Sequence, residues 1–199
     1  REQAAILAKN EQLRANLLRS ISHDLRTPLT SISGNAGILL SNGDTLKQEK
    51  KQQLYSDIYD DALWLINLVE NLLAVTKIEE GSMHLKMSAE LMDEVITEAL
   101  HHVNKKRDEH TIKVVQTEDF ILAKMDARLI VQVIINIVDN AIKYTPAGST
   151  ITISTTKKDK QVIVDIADDG PGIPDQAKER IFDMFYIAPN EVVDSHRSL

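Results

Sequence analysis

The chain has 199 residues, a formal charge of −7 at pH 7, 43% hydrophobic and 27% charged residues, and no cysteine. That length suits two small domains, each with its own core, and the negative charge sets aside nucleic acid as a partner because its binders carry a basic stripe. The lack of cysteine excludes disulfides, thiolate zinc sites and cysteine nucleophiles and fits a reducing cytoplasm, while apolar runs broken by Asn or Asp leave no membrane segment to expect.

The chain opens on Arg1-Glu2-Gln3-Ala4-Ala5 without a basic-then-apolar leader and reads as a fragment entered in mid-helix. From Leu7 to Leu40, apolar residues recur at Leu17, Ile21, Leu25, Leu29, Ile32, Ala36 and Leu39, the steps of one helical face. Polar Ser41-Asn42-Gly43-Asp44 interrupts the pattern, which resumes at Leu54, Ile58, Ala62, Leu65, Leu68, Leu72 and Val75 and stops at Gly81. An antiparallel helical hairpin is predicted, and two helices alone cannot bury both stripes, so a homodimer forming a four-helix bundle is expected.

Beyond Gly81 the pattern changes. Leu85-Lys86-Met87 is strand-like, Ser88 is placed to cap a helix running to about His102, and Thr111 to Val115 alternates as a strand. Asp126 is placed to cap a second helix to about Tyr144, followed by paired strands Thr150 to Thr156 and Val162 to Ala167 around a turn at Lys157 to Lys160. The fold class is therefore α+β multidomain, with domains 1–83 and 84–199 and a boundary near Gly81 to Met83.

In Ser22-His23-Asp24-Leu25-Arg26-Thr27-Pro28-Leu29 a histidine stands just off the apolar stripe, beside an acid and five residues before a proline. Pro28 removes a backbone donor and crowds the preceding turn, which should bend the helix and expose His23. Neutral imidazole is a nucleophile, and Asp24 is the candidate to hold one ring nitrogen protonated and leave the other free for phosphorus. Arg19, Arg26 and Thr27 lie one turn away on the same face. The two arginines are expected to neutralise phosphoryl charge, and Thr27 to hold a water for dephosphorylation. The plainer reading is a solvated charged face.

Asn136, Asn140, Lys143 and Tyr144 recur on one side of the second predicted helix. Two buried amides one turn apart suit Mg2+ bridging phosphates, with Lys143 adding a positive charge, although a solvent-facing polar stripe explains the spacing as simply. Asp168-Asp169-Gly170-Pro171-Gly172 follows an apolar strand, where glycines admit a ligand and the strand-end carboxylate can accept from adenine's amino group. A sharp turn alone would favour the same residues. Ile181-Phe182-Asp183-Met184-Phe185 reads first as a packed helix end.

Taken in order, these motifs resemble the H, N, G1 and F boxes of the sensor histidine kinase family, at His23, Asn136 to Tyr144, Asp168 to Gly172, and Phe182 to Phe185. The resemblance implies a dimerisation and histidine phosphotransfer domain followed by a two-layer α/β sandwich of the gyrase, Hsp90 and MutL ATPase type. It implies ATP and Mg2+ as cofactors, His23 as phosphoacceptor, Asp24 as its base and Thr27 as phosphatase residue. It further implies Asn136 and Asn140 at metal and phosphates, Lys143 at phosphate, and Tyr144, Asp168, Gly170, Gly172 and Phe185 at the nucleotide. The partner implied is a response regulator carrying an acceptor aspartate. The run His23 to Gly34 is most similar to the potassium-responsive members, which implies a cytoplasmic piece of a membrane-anchored bacterial sensor. The family's second glycine-rich box, shaped Gly-Xaa-Gly-Leu, does not occur before Leu199, so the ATP-binding domain is expected to be truncated there.

Two other readings stay open. In an ATP-hydrolysing clamp of the same superfamily, the position four before the metal-binding asparagine is a glutamate that activates water. Here it is Asn136, which cannot take a proton. A non-catalytic dimerisation scaffold would need none of the site residues.

Overall fold

The computed structural model describes residues 2–103 and 109–182. The chain divides into two compact units, Arg1–Leu73 and Ala74–Leu199. The division falls within the last turns of the second helix, which the expected boundary at Gly81 to Met83 follows.

The first unit is the predicted helical hairpin, with α1 spanning Glu2–Asn42 and α2 spanning Gln48–Glu79. Helix α1 runs through Pro28 without interruption. The expected stripe is real on both helices. Leu17, Ile21, Leu25, Ile32, Ala36 and Leu39 are half-buried, as are Ile58, Ala62, Leu65, Leu68, Leu72 and Val75, while Leu54 is buried. Leu29 departs from the pattern at 52% exposed.

The second unit is a two-layer α/β sandwich, in which a sheet of order β2-β4-β5 joins Thr111–Gln116, Thr150–Lys158 and Gln161–Asp168. Strands β2 and β4 run parallel, β4 and β5 antiparallel. Alternation along β4 turns Ile151, Ile153 and Thr155 inward, all 0% exposed. Helix α3 (Met92–His101) packs on α4 (Ala127–Tyr144). Helix α4 buries Ile134, Ile135, Val138, Ala141 and Ile142, the spacing of one helical face. Val138 and each of the isoleucines contribute about 1.5–3 kcal/mol by leaving water.

Several local expectations need correction. Leu85 to Met87 is irregular, and the strand lies at Ser88–Leu91 (β1). It pairs antiparallel with β3 (Leu122–Met125), which local pattern did not reveal. Ser88 caps nothing, because its hydroxyl donates to Glu90 at 2.6 Å and Leu91 occupies the N-cap of α3. Asp126 does stand at the N-cap of α4, but its carboxylate turns away to accept the Lys86 N–H at 3.0 Å. Strands β4 and β5 extend into the expected turn, leaving Asp159-Lys160 between them, with Asp159 at φ 55°. A short α5 (Asp175–Lys178) follows the glycine turn.

Candidate functional site

On α1 the imidazole of His23 is 69% exposed, one turn ahead of Pro28. Its Nδ1 lies 3.3 Å from Asp24 Oδ1. Neighbouring side chains on a helix diverge, so this contact depends on the rotamers, and the structure makes it. A carboxylate oxygen only accepts, which puts the hydrogen on Nδ1 and leaves the Nε2 lone pair bare. Thr27 donates its hydroxyl to the His23 carbonyl at 3.4 Å, one turn back along the helix. Arg19 and Arg26 are exposed beside it. Arg26 also lines a shallow groove on α1 with Ser22, Leu25, Leu29, Thr30 and Ser33.

In the α/β unit, the expected nucleotide residues cluster in sequence at the C-terminal half of α4 and the turn after β5. The asparagines are less enclosed than expected, for Asn136 is half-buried and Asn140 exposed. The reason is the phase of α4: its core face runs through Ile134, Val138 and Ala141, which turns the amides toward the open side. Lys143 is exposed, with its ammonium 5.1 Å from the centroid of the Tyr144 ring, a cation–π distance. In the turn, Gly170 N–H donates to Asp168 Oδ1 at 2.9 Å. Among the described residues, Asp168 Oδ2 takes no hydrogen bond, so it can accept from a ligand. Asp169 Oδ1 accepts from Thr150 N–H at 2.9 Å, tying the turn to the start of β4. Gly172 has φ 77°, a left-handed conformation that favours glycine. Phe185 lies outside the described residues.

Among the described residues, no group of three or more His, Cys, Asp or Glu converges as a metal site. An ion at α4 would therefore draw on amide oxygens, phosphates and water, the ligands that Mg2+ takes in preference to an all-protein cage. The residues present fit that ion as a companion of ATP.

Sequence reasoning missed two residues beside the turn. His110 and Thr145 hydrogen-bond at 2.9 Å. The Thr145-Pro146 pair just past the apolar periodicity was a legible helix stop, but nothing local pointed to His110.

Residues 13–81 match the His Kinase A (phospho-acceptor) domain. Residues 125–197 match the histidine kinase-, DNA gyrase B-, and HSP90-like ATPase domain. The chain is 46% identical over 198 residues to the sensor protein KdpD of Clostridium acetobutylicum, aligning along its whole length but covering only 22% of that protein. Among solved structures, the histidine kinase AdeS of Acinetobacter baumannii superposes with a TM-score of 0.54 at 25% identity, over 81% of this chain and 78% of that one. The histidine kinase ThkA, solved in complex with the response regulator protein TrrA, shares the fold with a TM-score of 0.54 at 23% identity, over 90% of this chain and 53% of that one. No described helix is long and apolar enough to cross a membrane.

Proposed function

Since the chain belongs to the sensor histidine kinases, with a phosphoacceptor domain ahead of an ATPase-type domain, we propose that it transfers the γ-phosphoryl group of ATP to Nε2 of His23. The observation that carries this reading is the His23 to Asp24 contact at 3.3 Å on an imidazole 69% exposed. Asp24 keeps the hydrogen on Nδ1. The Nε2 lone pair attacks the γ-phosphorus, the bond to the β–γ bridging oxygen breaks, and ADP leaves. The imidazole then carries positive charge, which the Asp24 carboxylate offsets. Arg19 and Arg26 add charge beside the transferred group.

ATP-binding follows from the second domain's family. Asp168 Oδ2 accepts from adenine's amino group, the glycines admit the base closely, and Tyr144 flanks the nucleotide. Lys143 and the amides of Asn136 and Asn140 serve the phosphates. Mg2+, when bound with ATP, neutralises phosphate charge, and the two amides would hold it. With Asn136 standing where a water-activating carboxylate would be needed, hydrolysis is disfavoured and the phosphoryl group stays available to histidine.

The remainder of the reading is finer. Exposed apolar residues supply the reason for a homodimer: Leu7, Leu18, Leu29 and Leu40, spaced eleven apart on α1, and Tyr55, Tyr59, Ile66 and Leu73, on one face of α2. The domains are 1–83 and 84–199. The phosphoryl group passes to an aspartate of a response regulator, with Thr27 positioned for the reverse dephosphorylation. Similarity to KdpD supports potassium-responsive signalling through a KdpE-like regulator, by a sensor anchored in the membrane whose kinase core lies in the cytoplasm.

Incubation with γ-labelled radioactive ATP tests the core of this. Label that is acid-labile, base-stable and lost in His23→Gln is expected. Label surviving in that variant, or none in the unsubstituted protein with Mg2+, would refute the assignment.

A further inference from the structure

The end of α4 and the glycine turn are joined by residues outside every motif. Thr145 is 8% exposed and stands at the C-cap of α4, where its hydroxyl donates to the Ala141 carbonyl at 2.7 Å. That leaves the hydroxyl oxygen to accept. His110 Nε2 lies 2.9 Å from it and 3.3 Å from the Thr145 carbonyl oxygen. A carbonyl cannot donate, so Nε2 carries the hydrogen and shares it between the two oxygens. Backbone bonds hold His110 from both sides. Gly148 N–H donates to the Glu109 carbonyl at 2.7 Å, and Thr111 N–H to the Ser149 carbonyl at 3.0 Å. The Thr145 methyl meanwhile fills the space against Gly170. A Cβ added there would lie 2.6 Å from Thr145 Cγ2 and 3.0 Å from Asp168 Oδ1.

From this juxtaposition we infer that His110 and Thr145 are positioning residues for recognition of the nucleotide base. His110 fixes the rotamer of Thr145, the Thr145 methyl sets the height of Gly170, and Gly170 N–H fixes Asp168 Oδ1. Asp168 Oδ2 is thereby aimed at the base. The inference rests on the reading that Asp168 accepts from adenine's amino group.

Calorimetric binding of ATP and of inosine triphosphate, which has a carbonyl where adenine has the amino group, separates the two ideas. Asp168→Asn tests the underlying reading: the preference for ATP should collapse, and an unchanged preference would remove both reading and inference. Given that collapse, Thr145→Ser keeps the hydroxyl and loses the methyl, and His110→Ala loses the donor. Each should cut the preference for ATP by about five- to tenfold, with inosine triphosphate binding nearly unchanged. His110→Gln, whose amide N–H can replace the donor, should retain the preference. Equal weakening of both nucleotides would mark a merely structural role and overturn the inference, as would an unaltered preference. Gly170→Ala supplies an independent arm. It should abolish the preference, and adding Thr145→Ser should recover part of it by removing the methyl that the new Cβ would strike. A double variant no better than Gly170→Ala alone also overturns the inference.

Discussion

The two units solve the burial problem in opposite ways. In the hairpin, Pro28 and Leu54 are the buried residues among those described up to residue 73, while Leu18 is 64% exposed, Ile66 58% and Leu73 50%. The α/β unit instead encloses a continuous core from Met92 and Ile96 through Val138 to Ile151 and Ile153. A helical hairpin with so much apolar surface in water is incomplete by itself, whereas the sandwich has the core a small domain needs. The chemistry is divided along the same line. The proposed nucleophile, His23, stands exposed on the incomplete unit, and the proposed nucleotide residues belong to the self-sufficient one.

The largest effect that sharpens this contrast is chemical and should leave the fold alone. Asp24→Asn should lower phosphate incorporation about 10²–10⁴-fold, the range for loss of a positioned acid–base group. The carboxylate is 49% exposed, so thermal unfolding should not move. Undiminished incorporation would remove Asp24 from the mechanism. The converse is Ile153→Ala, at a side chain 0% exposed. It should cost the α/β unit about 2–5 kcal/mol through lost burial and the cavity left behind. In a denaturant titration followed by residue-specific probes, the hairpin transition should stay in place. If the hairpin unfolds with it, the units are not independent.

A smaller effect tests what the hairpin lacks. Leu18→Glu and Leu29→Glu, each on the exposed face of α1, should weaken self-association by about 1.5–3 kcal/mol apiece if those leucines are buried between protomers. Sedimentation equilibrium would read the change. Unaltered association would move the dimer contact to another face or dismiss it.

What was legible in the sequence divides by distance along the chain. The stripe of Leu17, Ile21 and Leu25, the face of α4 and the strands β4 and β5 were readable because their patterns are internal to each element. His23 and Asp24 were readable because they are neighbours. Strand β1 was not: Ser88-Ala89-Glu90-Leu91 has helix-like composition, and pairing such as Ser88 with Met125 holds it extended. His110 and Thr145 are 35 residues apart, so no spacing within a motif could show their hydrogen bond. The nearness of the N-cap also misled at Asp126, whose side chain finds its partner 40 residues upstream.

That carboxylate gives the smallest and most specific prediction. Asp126 is 5% exposed, accepts the Lys86 N–H at 3.0 Å and lies 3.3 Å from the Arg128 guanidinium. The Lys86 N–H first, then Arg128, hold its carboxyl below the ordinary value of 3.8, against the opposing push of burial. The folded state therefore favours the ionised form more than the unfolded chain does. The resulting stability is fully present above about pH 5 and is lost progressively as pH falls through the ordinary and then the lowered value. Asp126→Asn retains an acceptor for Lys86 but not the charge, so it should unfold more easily near neutrality. Other carboxylates titrate in the same range, which makes the difference between the two proteins the informative quantity. That difference should narrow as pH drops from about 5 toward 3. A gap that stays constant across that window would mean that shape and hydrogen bonding, with no help from ionisation, hold Lys86 against the start of α4.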